Sequence, residues 1–288
     1  MLDLHAHSTF SDGSETPASL ARLAKDGHVR ALALTDHDNA NGAAEFLEAC
    51  REVGLTGIAG IEWSADVDSG TLHILGLGID HSSESLRDAS NEVLESRDER
   101  NRRILAKLND LGFGLTWDEV QELAGEDVVG RPHFARAMIA RGWAETMGEV
   151  FERYLEKGAP AYFDRFRLQP KEAIAVIREA GGVPVIAHPT SWSDDFPDLK
   201  EKIGELAEEG LLGIEAYYPS HSPETTLEML RIAKHFGLLV TGGSDFHGED
   251  VKPGIRIGVG NGSLHVPDKL LPPLLARMSP AGFVKGEN

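Results

Sequence analysis

Short apolar runs alternate with amphipathic stretches along most of the chain. Seven runs have the length and composition of strands, at 1–5, 31–35, 57–62, 72–77, 183–187, 212–216 and 238–241. Helical patterning follows several of them. Thr16-Pro17 offers a cap and a proline for a first turn, and Gly27 offers a stop. Further helices are predicted over 43–53 (ending at Gly54), 170–180 (ending at Gly181-Gly182), 199–209 and 223–236. Strands that alternate with helices pair in parallel and carry the helices outside, which makes an α/β barrel or an open α/β sheet.

One stretch departs from this rhythm. From about residue 83 to about 167 the pattern is helical throughout, with segments at 86–111, 117–124, 132–141 and 147–156. That is far more chain than a crossover between two strands requires. The pattern predicts a barrel from 1–82 and 168–288, with 83–167 as an inserted helical subdomain capping its mouth. Barrel sites lie at the C-terminal ends of the strands, so such an insertion can supply specificity residues.

Polar residues punctuate the ends of the apolar runs. They read Asp3-Leu4-His5-Ala6-His7, Ser11-Asp12-Gly13, Asp36-His37-Asp38, Glu62, His73, His188-Pro189 and Ser244-Asp245-Phe246-His247. His5 and His7 alternate along a strand and point to one face. Alone, a His-x-His pair says little, and His73 within Thr71-Leu72-His73-Ile74-Leu75-Gly76 reads as a core residue. Together, imidazoles and carboxylates at several strand ends predict a hydrolytic metal centre that keeps positions open for water and substrate. Gly242-Gly243 permits the close backbone approach that would bring Asp245 in.

Charge narrows the substrate. Against 28 Lys and Arg stand 47 Asp and Glu, for a net charge of −19. Such a surface repels duplex nucleic acid, but divalent ions dominate the field inside a cleft and still admit a small anion. The single cysteine, Cys50, excludes disulfide frameworks and cysteine-rich zinc sites, and it falls on the apolar side of a predicted helix. The chain opens on a strand-like segment without a basic-then-apolar leader, and no run is long enough to span a bilayer. A cytoplasmic protein without a membrane or obligate protein partner is expected.

The motifs and their order resemble the polymerase and histidinol phosphatase (PHP) family of metal-dependent phosphoesterases. They are Asp3-Leu4-His5-Ala6-His7 with Ser11-Asp12-Gly13, Leu34-Thr35-Asp36-His37-Asp38, Gly60-Ile61-Glu62, Leu72-His73-Ile74-Leu75-Gly76, Ile186-Ala187-His188-Pro189 and Gly243-Ser244-Asp245-Phe246-His247-Gly248. The likeness covers residues 2–248. It implies a distorted (β/α)7 barrel and two or three divalent ions. In this likeness His5, His7 and Asp245 serve a first ion. Glu62 bridges it to a second, which His73 and His188 complete, and Asp12, His37 and His247 serve a third. Asp12 departs from members with histidine there and His188 from those with cysteine, which favours hard, oxygen-liking ions such as Mn²⁺, with Fe²⁺, Zn²⁺ and Mg²⁺ as alternatives. Chemistry is expected to centre on Glu62 and Asp245.

The insertion adds a second group of residues. Arg97 and Arg100 lie one helical turn apart, and Gly130-Arg131-Pro132-His133 opens another helix. A solvated charged helix and a capping histidine would explain these residues without any ligand. The family resemblance makes Arg97, Arg100, Arg131 and His133 candidate phosphate contacts. His221, in the loop after the 212–216 strand, is a further candidate for substrate contact or catalysis. The resemblance is greatest to stand-alone bacterial members that act on 3′,5′-nucleoside bisphosphates and short 5′-phosphorylated oligonucleotides. The expected reaction is removal of the 3′-phosphate from such a bisphosphate. The alternatives are 5′→3′ exoribonuclease action, histidinol phosphatase action and service as a polymerase accessory module.

Overall fold

A computed structural model describes residues 1–124 and 129–286. The chain forms two compact units, Met1–Ser90 with Arg167–Asn288, and Asn91–Phe166. The first unit holds eight strands: β1 (Leu2–Asp3), β2 (Ala31–Leu34), β3 (Thr56–Ala65), β4 (Leu72–Leu77), β5 (Val183–Ala187), β6 (Gly213–Tyr217), β7 (Leu239–Gly242) and β8 (Phe283–Val284). Strands β1 to β7 lie side by side in chain order, and β8 pairs with β3. The sheet closes into a nearly complete barrel where Leu4 N–H donates to Gly242 O (3.0 Å), Asp245 N–H to His5 O (2.9 Å) and His7 N–H to Phe246 O (2.8 Å).

Among β1 to β7 pairing is parallel except around β4, which runs antiparallel to both β3 and β5, and the added β8 is antiparallel to β3. This corrects the expectation of uniform parallel pairing. No helix separates β3 from β4, so the chain turns straight back. The reversed strand brings its first residues to the barrel end where its neighbours deliver their last. His73 therefore pairs with Ser64 near the end of β3 and with Ala187 at the end of β5.

Alternate strand residues fill the barrel. Ala31 and Ala33, Leu75 and Leu77, and Val183, Val185 and Ala187 share one buried cluster with Leu2, Leu4 and Ile58. Leu264, Val266, Leu271, Leu274 and Met278 from the C-terminal segment join this cluster. Helices α1 (Pro17–Asp26) and α2 (Ala43–Val53) pack beside β2 and β3. Thr16 accepts the Ser19 amide at the start of α1, as its sequence predicts.

The second unit is helical. It takes most of α3 (Glu84–Asp110), then α4 (Trp117–Ala124), α5 (Arg131–Ala140) and α6 (Met147–Val150), which runs on as a π-helical turn over Phe151–Leu155. Ile104, Leu108, Val120, Phe134, Met138 and Val150 form its core. Back in the first unit, α7 (Pro170–Glu179) packs on β4 and β5. Next come α8 (Phe196–Glu208), α9 (Pro223–Phe236) and α10 (Leu271–Leu275). No helix among the described residues is long and apolar enough to cross a membrane.

Candidate metal centre

The strand ends bring all nine predicted donors together. Glu62 is at the middle, buried, with imidazoles on both oxygens. His73 Nδ1 (2.9 Å), His188 Nε2 (3.0 Å) and His5 Nε2 (3.4 Å) face its Oε1, while His37 Nδ1 (3.0 Å) and His7 Nε2 (3.2 Å) face Oε2. Asp245 Oδ1 lies 3.5 Å from His5 and 3.3 Å from His7. Asp12 lies 3.3 Å from His247 Nε2 and 3.7 Å from His37 Nε2.

Four groupings have donor atoms close enough for a shared cation. They are His5 with His7 and Asp245; His5 with Glu62 and His188; His37 with Glu62 and His73; and His7 with Asp12, His37 and His247. The first has the members expected from the sequence. The last adds His7 to the expected three, and Glu62 divides His73 and His188 between two groupings.

Polar groups behind the donors fix their ring orientation. Glu215 Oε1 accepts His5 Nδ1 (3.1 Å) and its Oε2 accepts the His188 backbone amide (2.7 Å). His247 Nδ1 donates to Asp245 O (2.8 Å), and His188 Nδ1 meets Ser191 Oγ (2.9 Å). The three ring contacts occupy Nδ1 of His5, His188 and His247 and leave Nε2 for the cluster, whereas His37 and His73 turn Nδ1 toward Glu62. Asp36 takes the Ser8 amide and both the Ser8 and Ser11 hydroxyls, each at 2.7 Å, bracing the turn after His7. Asp3 does the same for Ser244 and Gly258. Asp38, His188 and Asp245 have φ of 59°, 27° and 54°, left-handed conformations that Asp and His tolerate better than most residues and that recur at functional sites.

The electrostatics are those of a cation site filled by protons. Burial alone would raise the Glu62 carboxyl, but His37, His5 and His73 hold it well below the usual range. Burial likewise works against Asp245 and Asp12, which neighbouring histidines hold low. For His7, burial disfavours charge, yet Asp245 and Glu62 push it up to about 9. Burial wins at His37, which falls to about 4. Asp12 Oδ1, His37 Nδ1 and Glu62 Oε2 are buried side-chain atoms without a hydrogen-bond partner, and His5 Nε2 confronts His7 Nε2 at 3.1 Å. Ring nitrogens that face one another and unpartnered buried acceptors suit cations between them, and this mixed nitrogen and oxygen donor set fits divalent ions.

A cleft of about 400 Å³ opens over these donors, walled also by Thr190, Ser191, Tyr218, Ser220 and Lys252. The structure does not bring His221 to the cluster. Its Nδ1 donates to Ala216 O (3.0 Å) and its Nε2 meets Thr190 Oγ1 (3.4 Å), so it supports the cleft wall from behind. Arg97, Arg100, Arg131 and His133 belong to the second unit. There Arg100 and His133 are buried. Arg131 lies over the Tyr162 ring and donates to Leu155 O (3.2 Å), and His133 Nδ1 accepts the Gly130 amide (2.9 Å). The sequence reading missed Glu215, Tyr218 and Lys252. Only Glu215 carried a signal, as a charged residue inside an apolar strand.

Known proteins are similar to this chain. The PHP domain family matches residues 3–157. The 5′-3′ exoribonuclease Rnm of Salmonella typhimurium is 33% identical over 250 residues, 85% of this chain and 84% of that protein. The 3′,5′-nucleoside bisphosphate phosphatase of Chromobacterium violaceum is 34% identical over 247 residues, 85% of this chain and 87% of that protein. A crystal structure from Bifidobacterium adolescentis, described as a candidate metal-dependent phosphoesterase, superposes with a TM-score of 0.81 at 30% identity, covering 96% of each chain. Family match, relatives and barrel agree with the donor chemistry, and the chain belongs to the PHP domain family as a metal-dependent hydrolase of phosphoric esters.

Proposed function

We propose that this enzyme removes the 3′-phosphate of nucleoside 3′,5′-bisphosphates and releases nucleoside 5′-monophosphates. The carrying observation is the 34% identity to a phosphatase of that name over 85% of this chain. The cleft of about 400 Å³ suits a single nucleotide rather than a duplex, and the net charge of −19 opposes a long polyanion.

Two or three divalent ions, with manganese preferred for the oxygen of Asp12, would lower the pKa of an attacking water and neutralise the phosphoryl oxygens. Glu62 would hold two of them in register through its separate oxygens, and Asp245 would close the first set with His5 and His7. His73 and His188 would complete the second set, and Asp12, His37 and His247 the third. In the reaction a water oxygen bonds to phosphorus, the bond to the 3′-oxygen breaks, and that oxygen leaves with a proton. The chain's own part is to hold carboxylates ionised and imidazoles in one tautomer, so that little reorganises as charge shifts. Arg97, Arg100, Arg131 and His133 are proposed to contact the second phosphate, and His221 to act through Thr190. We place the enzyme in the cytoplasm, with no obligate protein partner.

Adenosine 3′,5′-bisphosphate with Mn²⁺, followed by phosphorus NMR, tests the proposal. The expected products are 5′-AMP and phosphate, with 5′-AMP turned over poorly; release of 3′-AMP would refute the polarity. The relative named as a 5′-3′ exoribonuclease supports a second reading, in which short 5′-phosphorylated RNA is degraded from its 5′ end. Faster turnover of such RNA than of the bisphosphate would establish it instead.

A further inference from the structure

Asp245 divides its two oxygens between different tasks. Oδ1 faces the His5, His7 and His247 rings at 3.5, 3.3 and 3.4 Å. Oδ2 accepts the Tyr218 hydroxyl at 2.8 Å and Lys252 Nζ at 2.6 Å. The half-buried tyrosine already holds the carboxylate rotamer, so orientation alone does not call for the lysine. Ordering a lysine also costs side-chain entropy, which a purely structural role would have to offset.

Lys252 sits in a turn pinned by its own amide to Gly248 O (2.9 Å), and its side chain is 40% exposed where that of Asp245 is 7% exposed. The ammonium thus covers the carboxylate from the cleft side. Among the described residues that line the cleft, it is the one lysine or arginine. An ammonium has three N–H donors and Asp245 takes one. Tyr218 and Ser220 line the cleft on the same side.

We propose that Lys252 binds substrate, donating to a non-bridging oxygen of the phosphoryl group that reacts at the donor cluster. The reacting group is singled out by distance. Nζ lies 2.6 Å from a carboxylate whose other oxygen is within 3.5 Å of three histidines, so its reach ends on whatever sits at the cluster. A second phosphate, separated from the first by the sugar, lies beyond that reach. The assignment rests on the phosphoester reading of this site.

The full chain loaded with Mn²⁺ provides the test, with inorganic phosphate as the probe. Metal content is measured by mass spectrometry and phosphate affinity by titration calorimetry, for wild type, Lys252→Met and Lys252→Arg. Losing a charge-assisted bond should weaken phosphate binding at least about tenfold in Lys252→Met at unchanged metal content, and Lys252→Arg should recover most of it. Unchanged phosphate affinity would overturn the proposal. So would a fall in metal content that accounts for the lost affinity, because Lys252 would then serve only Asp245. A wild type that bound no phosphate would remove both this assignment and the proposed function. A wild type that bound phosphate through Lys252 but hydrolysed no nucleotide would remove the proposed function alone.

Discussion

Glu62 is the residue on which the two halves of the donor cluster depend, because imidazoles approach both of its oxygens. In Glu62→Gln one oxygen becomes an NH₂ group that faces ring nitrogens and cannot receive a cation. We expect lower metal occupancy and a fall in kcat of about a hundredfold or more, with an unchanged circular dichroism spectrum. Near-normal turnover at saturating Mn²⁺ would exclude the bridging role. The grouping of the nine candidate donors was legible because most stand in short polar motifs at the edges of apolar runs, with His73 inside one. Their supporting residues were not. Glu215 and Tyr218 touch the donors through contacts 210 and 27 positions apart, so even the charge that stands out in the Glu215 strand does not tell which donor it meets. Lys252 was hidden for a different reason, since it reads as one more charge in a polar loop.

At the scale of elements, the strands and most helices followed from hydrophobic period and caps, but the direction of β4 did not. An apolar strand reads alike in either direction. The only clue was the six-residue link between β3 and β4, too short for a helical crossover. That reversal is why His73, in the interior of its motif, reaches the cluster. The short β8 and α10 were likewise too brief to give a period. Gly243 tests how tightly the elements must meet, because a Cβ there would lie 2.5 Å from the His5 nitrogen. Gly243→Ala should destabilise the protein by about 1–3 kcal/mol through overpacking and should weaken metal binding by displacing His5. A wild-type melting temperature in that variant would show that the barrel ends can part without cost.

The whole molecule should respond to pH differently with and without metal. His7 rises from an ordinary 6.5 to about 9 in the folded chain, so its stabilising charge is fully present below pH 6.5 and is lost as pH rises through 9. His37, lowered from 6.5 to about 4, acts oppositely, and its contribution is lost as pH falls from 6.5 through 4. With chelator, the melting temperature should therefore be highest near neutrality and fall between pH 7 and 9. With Mn²⁺ it should hold or rise over that interval, since cations displace the same protons. A chelated protein that gained stability from pH 7 to 9 would contradict the protonated cluster. The seam that closes the barrel also bears on folding. Asp3 binds Ser244 across 241 positions, and His5 and His7 face Asp245 and His247 over the same gap. Contacts of such sequence separation form late, after local hairpins such as β3–β4. Hydrolytic competence is therefore gained in the final step of folding, and ions that bind only the closed barrel drive that step by mass action.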